Sequence, residues 1–375
     1  MSILIQAIAD DMHAGAVAAA LESLGAEVIF SVGTDIPANQ TCTCLIDQEH
    51  DRRLIRRAGK TIDLDSSIDL VWSRRAQLFT TPDLHPDDIA FANREFSFFL
   101  DGFWARSLPD AVWVNPWAAR KFSNTKLNQL APARLAGFRI SPTLISHDPD
   151  QIIAFVDAHG PDNVVFKTLT PAWWQEPGIG NLTTSTSIVT PDLLDDLDAL
   201  RLCPGIYQVL IEKAAELRVT VMGDEVLCTE VIAGSMPGAS VDWRVGQHEM
   251  RVRQYALPEA VAQKCRALVR ALDLAFGCID LIHGKDGAWY FLEVNEMGQF
   301  LWIETMLPEA RYLEAFVRFL LRAIGADESR ARLELAAVRD SAAYRDIMSG
   351  PLAPLSSGGG ADERREMPTG LSAAN

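Results

Sequence analysis

Several features that would define a protein class are scarce in this 375-residue chain. Its six cysteines form no Cys-x-x-Cys pair, so neither a zinc knuckle nor a disulfide framework is indicated. Basic residues number 34 against 50 acidic ones, and the net charge of −16 would repel a nucleic-acid backbone. The N-terminus has no basic segment, and no apolar run reaches the roughly 18 residues that span a bilayer. We expect a cytoplasmic protein with reduced thiols that binds neither nucleic acid nor membrane.

Three common site motifs are also missing. The chain contains no Gly-x-x-x-x-Gly-Lys-Ser/Thr loop, and its first strand-to-helix turn lacks the Gly-x-Gly-x-x-Gly pattern of dinucleotide-binding proteins. There is no Gly-x-Ser-x-Gly elbow on which Ser-His hydrolysis could rest. A phosphate-bearing ligand would therefore have to be held by other residues.

The residues that are present predict a mixed α/β and α+β protein. The hydrophobic content of 48% is enough for two or three domains with their own cores. Residues 2–8, 13–24 and 26–32 read as strand, helix and strand, and residues 41–46 and 69–72 read as further strands. This opening predicts a small parallel α/β layer.

Turn signals and changes of pattern give a division into domains. Residues 141–142, Ser-Pro, begin a new extended segment, and the final residues contain Ser-Ser-Gly-Gly-Gly with no periodic apolar face. We predict an N-terminal α/β domain at 1–115, α+β lobes at 116–207 and 208–325, a helical extension at 326–348 and a disordered tail at 349–375.

The sharpest local signal is a pair of oxygen-bearing side chains two residues apart, Glu293 and Asn295. Such residues face the same side of a strand, roughly 6.7 Å apart. Asp280 lies on the preceding strand, and a turn at Asp286-Gly287 would fold the two strands together. Hard oxygen ligands suit Mg²⁺, which keeps waters and nucleotide phosphates as its other ligands. The sequence therefore predicts a magnesium site.

Asp280 and Glu293 could instead be ordinary polar residues on a solvated sheet face. Both, however, lie within strongly apolar strands, Phe-Gly-Cys-Ile-Asp-Leu-Ile and Trp-Tyr-Phe-Leu-Glu-Val-Asn. An unpaired charge buried in such surroundings would cost several kcal/mol. The metal site is the interpretation that we favour.

Two lysines supply charge of the opposite sign. Lys126 opens a helical segment, and Lys167 lies within the apolar strand Val-Val-Phe-Lys-Thr-Leu, where an ammonium group needs an anionic partner. A triphosphate would be such a partner. Taken singly, each lysine is more often a surface residue with a buried stem, but their order before the Glu-x-Asn strand favours a nucleotide site.

The order of these motifs resembles the ATP-grasp superfamily over about residues 112–303. More narrowly, the chain resembles the microviridin-type, or graspetide, peptide macrocyclases. The details that carry this narrower resemblance are Asp11 and His13, Val71-Trp72-Ser73-Arg74-Arg75, Trp113-Val114-Asn115, Glu216-Leu217-Arg218 and the run from Glu293 to Glu304. The resemblance implies an ATP-grasp fold, in which an N-terminal α/β pre-grasp domain precedes two α+β lobes that sandwich ATP.

The resemblance also implies roles for individual residues. The expected ATP ligands are Lys126 and Lys167 at the phosphates, Gln208, Val209, Leu210 and Ile211 at the hinge beside adenine, and Glu216 at the ribose. The expected Mg²⁺ ligands are Asp280, Glu293 and Asn295. The expected cations beside the γ-phosphate or acyl phosphate are Arg218 and Arg244.

The resemblance leads to two further expectations, one at Cys278 and one at the loop of residues 170–181. Some ATP-grasp ligases have an arginine where this chain has Cys278, so an arginine from elsewhere, Arg244, is our candidate to stabilise the transferring phosphoryl group. The loop at residues 170–181, Thr-Pro-Ala-Trp-Trp-Gln-Glu-Pro-Gly-Ile-Gly-Asn, would close over the nucleotide, with its tryptophans acting either in packing or as a clamp.

By this resemblance, the enzyme activates Asp or Glu side chains of a ribosomally made precursor peptide as acyl phosphates. A Ser, Thr or Lys side chain of the peptide then forms an ester or amide crosslink. The partner would be a precursor with a leader and an acidic core, and a homodimer is also expected by analogy. Arg74 and Arg75 either contact acidic peptide or form a basic pair at the surface.

Three alternatives stay open at this stage. The chain could be an ATP-grasp ligase for amino acids, of the glutamyl or D-alanyl-D-alanine type, although the Val-Trp-Ser-Arg-Arg and Glu-Met-Gly-Gln-Phe-Leu-Trp-Ile-Glu runs argue against it. It could be a non-catalytic scaffold that binds nucleotide or peptide. It could also be a kinase that stops at phosphoryl transfer.

Overall fold

The computed structural model describes residues 1–64, 67–75, 79, 84–170, 173–176 and 180–353 of the chain. The described residues fall into two compact units. Unit 1 contains Met1–Lys121, Asp273–Phe276 and the part from Glu296 onward, and unit 2 contains Phe122–Leu272 and Gly277–Asn295. Among the described residues, the structure contains no helix with the length and apolar character needed to cross a bilayer.

The strands that the structure describes are β1 Ser2–Ala7, β2 Glu27–Val32, β3 Gln40–Ile46, β4 Asp51–Arg57, β5 Lys60–Asp63, β6 Leu70–Ser73, β7 Val112–Val114, β8 Thr143–Ser146, β9 Val164–Lys167, β10 Trp173–Glu176, β11 Gly180–Thr183, β12 Ser187–Ile188, β13 Gly205–Val209, β14 Lys213–Met222, β15 Glu225–Ile232, β16 Arg251–Gln254, β17 Phe276–Gly284 and β18 Trp289–Asn295.

The α-helices in the same part of the chain are α1 Met12–Ser23, α2 Pro86–Ala105, α3 Trp117–Ser123, α4 Lys126–Leu135, α5 Pro149–His159, α6 Leu197–Leu202, α7 Glu259–Ala271, α8 Leu301–Met306, α9 Tyr312–Ala323, α10 Leu335–Arg339 and α11 Ala342–Ser349.

The strand-helix-strand opening that the sequence predicts is present in unit 1. Strands β1, β2, β6 and β7 form a parallel sheet in the order β2-β1-β6-β7. Asp11 caps α1 by accepting hydrogen bonds from the N–H groups of His13 and Ala14, at 3.0 and 3.1 Å. Gly25 follows the helix with a φ of +88°, a conformation that glycine adopts without strain.

The strand predicted at residues 41–46 does not belong to this parallel layer. It is β3, which pairs antiparallel with β4, and β4 pairs with β5 in a separate three-stranded sheet. Asp47 Oδ1 accepts hydrogen bonds from the N–H groups of Glu49 and His50 in the short connection after β3. A parallel partner would need a crossover of a dozen or more residues, so this tight turn forces an antiparallel hairpin.

The C-terminal helices of unit 1 return to the N-terminal helix. Helices α9, α10 and α11 all contact α1. Glu304, which is buried, accepts hydrogen bonds from the N–H groups of Leu313 at 2.6 Å and Leu335 at 3.0 Å, near the starts of α9 and α10. The carboxylate thus satisfies donors that two helix ends would otherwise leave buried and unpaired. Glu304, the last residue of the run from Glu293 to Glu304, therefore has a structural role.

Arg74 and Arg75 are buried, so the interpretation of them as a basic pair at the surface is wrong. Arg74 Nε lies 3.0 Å from Asp11 Oδ1, and its Nη1 donates to the carbonyl oxygens of Met297 and Gly298. Arg75 Nε lies 3.9 Å from Asp11 Oδ2. Burial, with these arginines nearby, holds the pKa of His13 well below its usual value, so that His13 is neutral. This cluster fastens β6 to α1 within unit 1.

Unit 2 contains a four-stranded sheet in the order β12-β9-β13-β8 and a five-stranded sheet in the order β16-β15-β14-β17-β18. Helix α5 covers the first sheet, and its Ile152 and Val156 pack on Val164, Val189 and Tyr207. Strand β10 and the first half of β11 lie in the loop predicted at 170–181, and the two strands pair antiparallel with each other. The predicted hairpin of β17 and β18 is also present.

The helices and the C-terminal segment differ from the sequence predictions in part. Helix α2 has no counterpart in the sequence predictions, whereas the predicted helical extension consists of the two short helices α10 and α11. Leu352 is buried, but the rest of the predicted tail, from residue 354, lies outside the described residues, as do the tryptophan side chains of the 170–181 loop. The domain limits at 115, 207, 325 and 348 stay predictions.

Candidate active site

The β17–β18 hairpin brings the predicted metal ligands together in unit 2. Asp280 lies directly opposite Glu293 in the strand register, and Cys278 lies opposite Asn295. The Nδ2 atom of Asn295 is 3.4 Å from Asp280 Oδ2 and 3.5 Å from Glu293 Oε1. Register and strand period therefore place two carboxylates and one amide on the same face of the sheet.

Helix α4 holds this edge of the sheet in position. Gln129 is fully buried, and its Oε1 accepts a hydrogen bond from Val294 N–H at 2.8 Å. Its Nε2 donates to Val294 O at 2.9 Å and to Ser123 O at 2.5 Å. The Gln129 amide thus pairs with β18 as a neighbouring strand would. Because Val294 stands between Glu293 and Asn295, the clamp fixes the backbone that carries both side chains.

The same helix supplies the first cation. Lys126 lies three residues before Gln129, and such residues are neighbours on a helix surface. Its Nζ is 3.4 Å from Glu293 Oε2 and 3.3 Å from Thr168 O. One helix face therefore positions both the clamp and a lysine beside the metal-ligand candidates.

Arg218, on β14, supplies a second cation. Its Nη1 donates to both carboxylate oxygens of Asp280, at 2.8 and 3.0 Å. Burial raises the pKa of Asp280 to about 6, and repulsion from Glu293 adds to this effect, although Arg218 opposes it. Burial would also raise the pKa of Glu293, but Lys126, Arg244, Lys167 and Arg218 outweigh burial and lower it. The two carboxylates therefore have different affinities for protons.

Arg244 is held in place by a buried carboxylate that the sequence predictions did not single out. Asp242 accepts hydrogen bonds from Arg244 Nε at 2.8 Å, Arg244 Nη2 at 2.7 Å and the N–H of Thr186 at 2.9 Å. Burial alone would raise the pKa of Asp242, but the Arg244 guanidinium lowers it to about 2. Asp242 therefore orients Arg244 through a bidentate pair.

Lys167 and Gln208 lie on neighbouring strands of the four-stranded sheet. Lys167 Nζ donates to Gln208 Oε1 at 2.8 Å. Burial lowers the pKa of Lys167 to about 8, with Lys126 and Lys213 lowering it further and Glu293 and Glu216 opposing them. A half-buried ammonium group with a neutral amide as its hydrogen-bond acceptor is suited to an anionic ligand.

The predicted hinge follows β13. The backbone of Val209 already has partners, since its N–H donates to Pro142 O at 2.9 Å and its C=O accepts from Ser141 Oγ at 2.6 Å. Leu210 N–H donates to Asn163 O at 2.7 Å. Ile211 follows in the chain. These hydrogen bonds hold the segment against the residues that precede β8 and β9. The segment therefore has a fixed backbone edge, against which a planar ring could lie.

The predicted ribose ligand, Glu216, is paired with a lysine that the sequence predictions missed. Lys213 Nζ lies 2.7 Å from Glu216 Oε2 and 3.0 Å from Val241 O. Cys278, which stands where some relatives of the fold have an arginine, is buried, with its Sγ 3.5 Å from Thr220 Oγ1. The guanidinium that contacts Asp280 comes instead from the adjacent strand, through Arg218.

The donor set fits a magnesium ion that also binds phosphate. Among the described residues, no cluster holds three or more His, Cys, Asp and Glu side chains suited to a metal. Two carboxylates with an amide and phosphate oxygens, however, form the hard, oxygen-rich set that Mg²⁺ prefers. Asn295 now turns its amide nitrogen to the carboxylates, and rotation about its side chain would present the oxygen instead.

Gln129, Asp242 and Lys213 were not recognised from the sequence. Gln129 acts only through partners outside its own helix, and Asp242 joins a nearby arginine to a distant backbone N–H group. Gln129 is 165 residues from Val294, and Asp242 is 56 residues from Thr186. A buried polar side chain in a helix or loop becomes informative only when its partner is known. The Asp-Trp-Arg run at 242–244 was the one available signal, because it places a carboxylate two residues before Arg244.

Replacing Gln129 by leucine should destabilise unit 2. The change leaves Val294 N–H and C=O buried without partners, so we expect the free energy of unfolding to fall by about 3 kcal/mol. Urea unfolding measures the loss, and Gln263→Leu, on the exposed side of α7, is the matched control. Equal stability of the two variants would show that the clamp does not stabilise β18.

The chain is similar to several solved structures. No protein-family model matches the chain, and no curated protein matches it by sequence. The structure is similar to macrocyclase MdnC of Microcystis aeruginosa MRC, which was solved with precursor peptide MdnA. The identity is 25%, the match covers 86% of this chain and 100% of that one, and the TM-score is 0.73.

Two more solved structures are similar to this chain. The first is a RiPP-associated ATP-grasp ligase of Chryseobacterium gregarium, in complex with ADP and a leader and core peptide, at 26% identity, 88% and 99% coverage and a TM-score of 0.75. The second is macrocyclase MdnB of Microcystis aeruginosa MRC, at 26% identity, 86% and 99% coverage and a TM-score of 0.71. The ATP-grasp fold predicted from the sequence is thereby confirmed, and the chain is an ATP-grasp ligase that resembles the RiPP macrocyclases of the graspetide type.

Proposed function

We propose that the chain uses ATP and Mg²⁺ to crosslink side chains of a ribosomally made precursor peptide. The observation that carries this proposal is the cluster in unit 2, where Asp280, Glu293 and Asn295 converge beside Lys126 and Arg218. The similar structures that contain precursor peptide support the choice of substrate. The substrate would be a peptide with a leader and an acidic core, and the reaction would occur in the cytoplasm, where ATP is available.

The charges of the cluster favour a metal–triphosphate complex. Four cations, Lys126, Lys167, Arg218 and Arg244, face three carboxylates, Asp242, Asp280 and Glu293, while Lys213 and Glu216 balance each other. The excess is one positive charge. A divalent cation raises it to three, which complements the negative charge of a triphosphate.

In the proposed complex, Asp280, Glu293 and Asn295 would hold Mg²⁺, which would neutralise phosphate charge. Lys126 and Lys167 bind phosphate oxygens. Residues 208–211 lie beside the adenine and Glu216 accepts hydrogen bonds from the ribose hydroxyls. These assignments match the chemistry of each side chain, since ammonium groups pair with phosphates and carboxylates accept from hydroxyls.

The reaction has two steps. A carboxylate oxygen of the peptide attacks the γ-phosphorus, the bond between that phosphorus and the bridging oxygen of ADP breaks, and an acyl phosphate forms. A Ser or Thr hydroxyl, or a Lys amine, of the same peptide then attacks the acyl carbon. The carbon–oxygen bond to phosphate breaks, phosphate leaves, and the nucleophile loses a proton. The products are a crosslinked peptide, ADP and phosphate.

The arginines would stabilise the charge that moves in the first step. Arg244 has its Nε and Nη2 fixed by Asp242, so its orientation is set before a ligand arrives. Arg218 lies against Asp280 and therefore next to the proposed metal. Neither role requires a covalent enzyme intermediate. Proximity within one peptide then favours the second step, because effective molarities on the order of 10⁵ M are reached in intramolecular reactions.

The binding of ATP should depend on the charge of Lys167. Because burial lowers the pKa of Lys167 to about 8, its ammonium group loses its proton as the pH rises through that value. We expect the nucleotide affinity to fall by about tenfold as Lys167 loses its proton. In Lys167→Arg the guanidinium group stays charged, so the affinity should not fall with pH. Isothermal titration calorimetry with Mg²⁺ and a non-hydrolysable ATP analogue measures the affinity of the wild-type protein and of Lys167→Arg at each pH.

Lys60→Met, which replaces an exposed lysine on β5, is the control for the loss of a lysine. It should leave the affinity unchanged at every pH. A pH profile of the wild-type protein that is flat, or that is identical in Lys167→Arg, would assign phosphate binding to other residues.

Crosslinking should depend on Glu293. Intact-mass spectrometry of a candidate precursor incubated with enzyme, ATP and Mg²⁺ should show the loss of one water mass for each bond formed. Glu293→Gln removes one metal-ligand charge and should slow this loss by about 100-fold or more, while the variant stays folded. Glu309→Gln, at an exposed carboxylate in unit 1, should react at the wild-type rate.

The alternative activities would give different products in this experiment. A phosphorylated peptide of higher mass would indicate a kinase, and ATP turnover with free amino acids but an unchanged precursor would indicate an amino-acid ligase. Normal crosslinking by Glu293→Gln would contradict the metal assignment.

A further inference from the structure

Buried polar side chains line the carboxyl-terminal edge of the parallel sheet in unit 1. Strands β1, β6 and β7 are neighbours in this sheet. At the ends of these strands lie Gln6, Ser73 and Asn115, the residue after β7, and all three are buried. The carboxyl ends of parallel strands meet at one edge of a sheet, where α/β proteins commonly bind a ligand. In unit 1 this edge binds two segments of the chain itself.

The side-chain amide of Asn115 makes four hydrogen bonds to the backbone of these two segments. Its Oδ1 accepts from the N–H groups of Ala275 at 2.8 Å and Phe276 at 3.0 Å. Its Nδ2 donates to Phe276 O and to Glu296 O, at 2.8 Å in each case. An asparagine amide has two N–H donors and an oxygen with two lone pairs, so these bonds use its full capacity. Asn115 therefore joins the backbone at Phe276 to the backbone at Glu296.

The two joined segments are the ends of the hairpin that carries the predicted metal ligands. Strand β17 begins at Phe276 and β18 ends at Asn295, so Glu296 is the first residue after the hairpin. Asn295 is a predicted ligand, and it lies opposite Cys278, two residues after Phe276. The bridge itself lies within unit 1, which contains Asn115, Phe276 and Glu296. Asn115 thus closes the open end of the hairpin directly beside Asn295 in the chain.

A second contact holds Glu296 through its side chain. Arg120, on α3, has its Nη2 at 3.6 Å from Glu296 Oε1, and its Nη1 donates to Ser73 Oγ at 2.6 Å. Ser73 in turn donates to Gln6 Oε1. Arg120 and Glu296 are both buried, so solvent and salt screen their attraction little. Glu296 is therefore held by Asn115 at its backbone and by Arg120 at its carboxylate.

The separation of β17 and β18 matters to a magnesium site because the predicted ligands stand on both strands. Asp280 is on β17, whereas Glu293 and Asn295 are on β18. Mg²⁺ requires nearly octahedral ligands at about 2.0–2.1 Å, so a small change in the separation would move one ligand out of range. In known metal sites, loss of a group that orients the ligands lowers the metal affinity by about 10–100-fold.

We propose that Asn115 is a positioning residue of the magnesium site, which holds the two ends of the β17–β18 hairpin at the separation that metal binding requires. This role rests on the proposed function, which takes Asp280, Glu293 and Asn295 as the ligands of Mg²⁺. Asn115 acts on these ligands through the backbone at the ends of the hairpin. Its loss should therefore reduce the contribution of Mg²⁺ to nucleotide binding, and not the contribution of the lysines that bind phosphate.

Isothermal titration calorimetry of the full-length protein with a non-hydrolysable ATP analogue, once with Mg²⁺ and once with EDTA, tests this role. The ratio of the two affinities measures the contribution of Mg²⁺. Asn115→Ala removes the bridge and should lower this ratio by about tenfold or more, while the affinity in EDTA stays near the wild-type value. Arg120→Lys keeps the charge but loosens the second contact with Glu296, so it should lower the same ratio by a smaller factor. The binding stoichiometry reports the folded fraction of each variant.

Glu304→Ala is the control for a general loss of stability in unit 1, because it removes the acceptor of the N–H groups of Leu313 and Leu335. It should leave the ratio at the wild-type value.

An unchanged ratio in Asn115→Ala, or an equal fall in Glu304→Ala, overturns the positioning role and leaves the proposed function intact. If Asn115→Ala yields no folded protein, Arg120→Lys decides alone, and an unchanged ratio in that variant overturns the role. A wild-type affinity that does not depend on Mg²⁺ would contradict the metal assignment itself, and the role of Asn115 with it.

Discussion

The register of the β17–β18 hairpin, with Asp280 opposite Glu293, is the constraint on which the candidate active site depends. Both carboxylates are largely buried, so they would repel each other unless cations stood close by. Helix α4 meets this need and also fixes the register. Its Lys126 lies beside Glu293, and its Gln129 forms hydrogen bonds with both backbone groups of Val294. A slip of one residue in β18 would break both contacts and turn the two ligand side chains to the other face.

A second layer of cations extends from this hairpin. Arg218 comes from the neighbouring strand β14, Arg244 is fixed by the buried Asp242, and Lys167 stands on the other sheet of unit 2 with a neutral amide as its acceptor. Each of these side chains is oriented by the protein before a ligand binds. Preorganised charge of this kind is the usual source of catalysis in phosphoryl transfer, where the enzyme mainly positions and neutralises. The arrangement suits carboxylate activation and requires no nucleophile from the enzyme.

Much of the fold could be predicted from the sequence, because local patterns determine it. The opening strand-helix-strand unit, the Asp286-Gly287 turn and the strands around Lys167 and Glu293 all follow from periodicity and turn residues. The antiparallel pairing of β3 could not be predicted from its own residues, since it depends on the tight connection after Ile46. Gln129 was missed for a related reason, because this buried side chain has meaning only through Val294, a partner distant in sequence. The expected roles of the ligand residues are still predictions, although their side chains lie together.

The fate of a labelled carboxylate oxygen tests the central claim most directly. A precursor peptide whose acidic side chains carry oxygen-18 would be incubated with the enzyme, ATP and Mg²⁺, and the released phosphate would be analysed by mass spectrometry. Attack of the carboxylate on the γ-phosphorus transfers one of its oxygens, so the account predicts one labelled oxygen in phosphate for each bond formed. Crosslinked peptide accompanied by unlabelled phosphate would show that the carboxylate is not activated by phosphorylation, and would contradict the account.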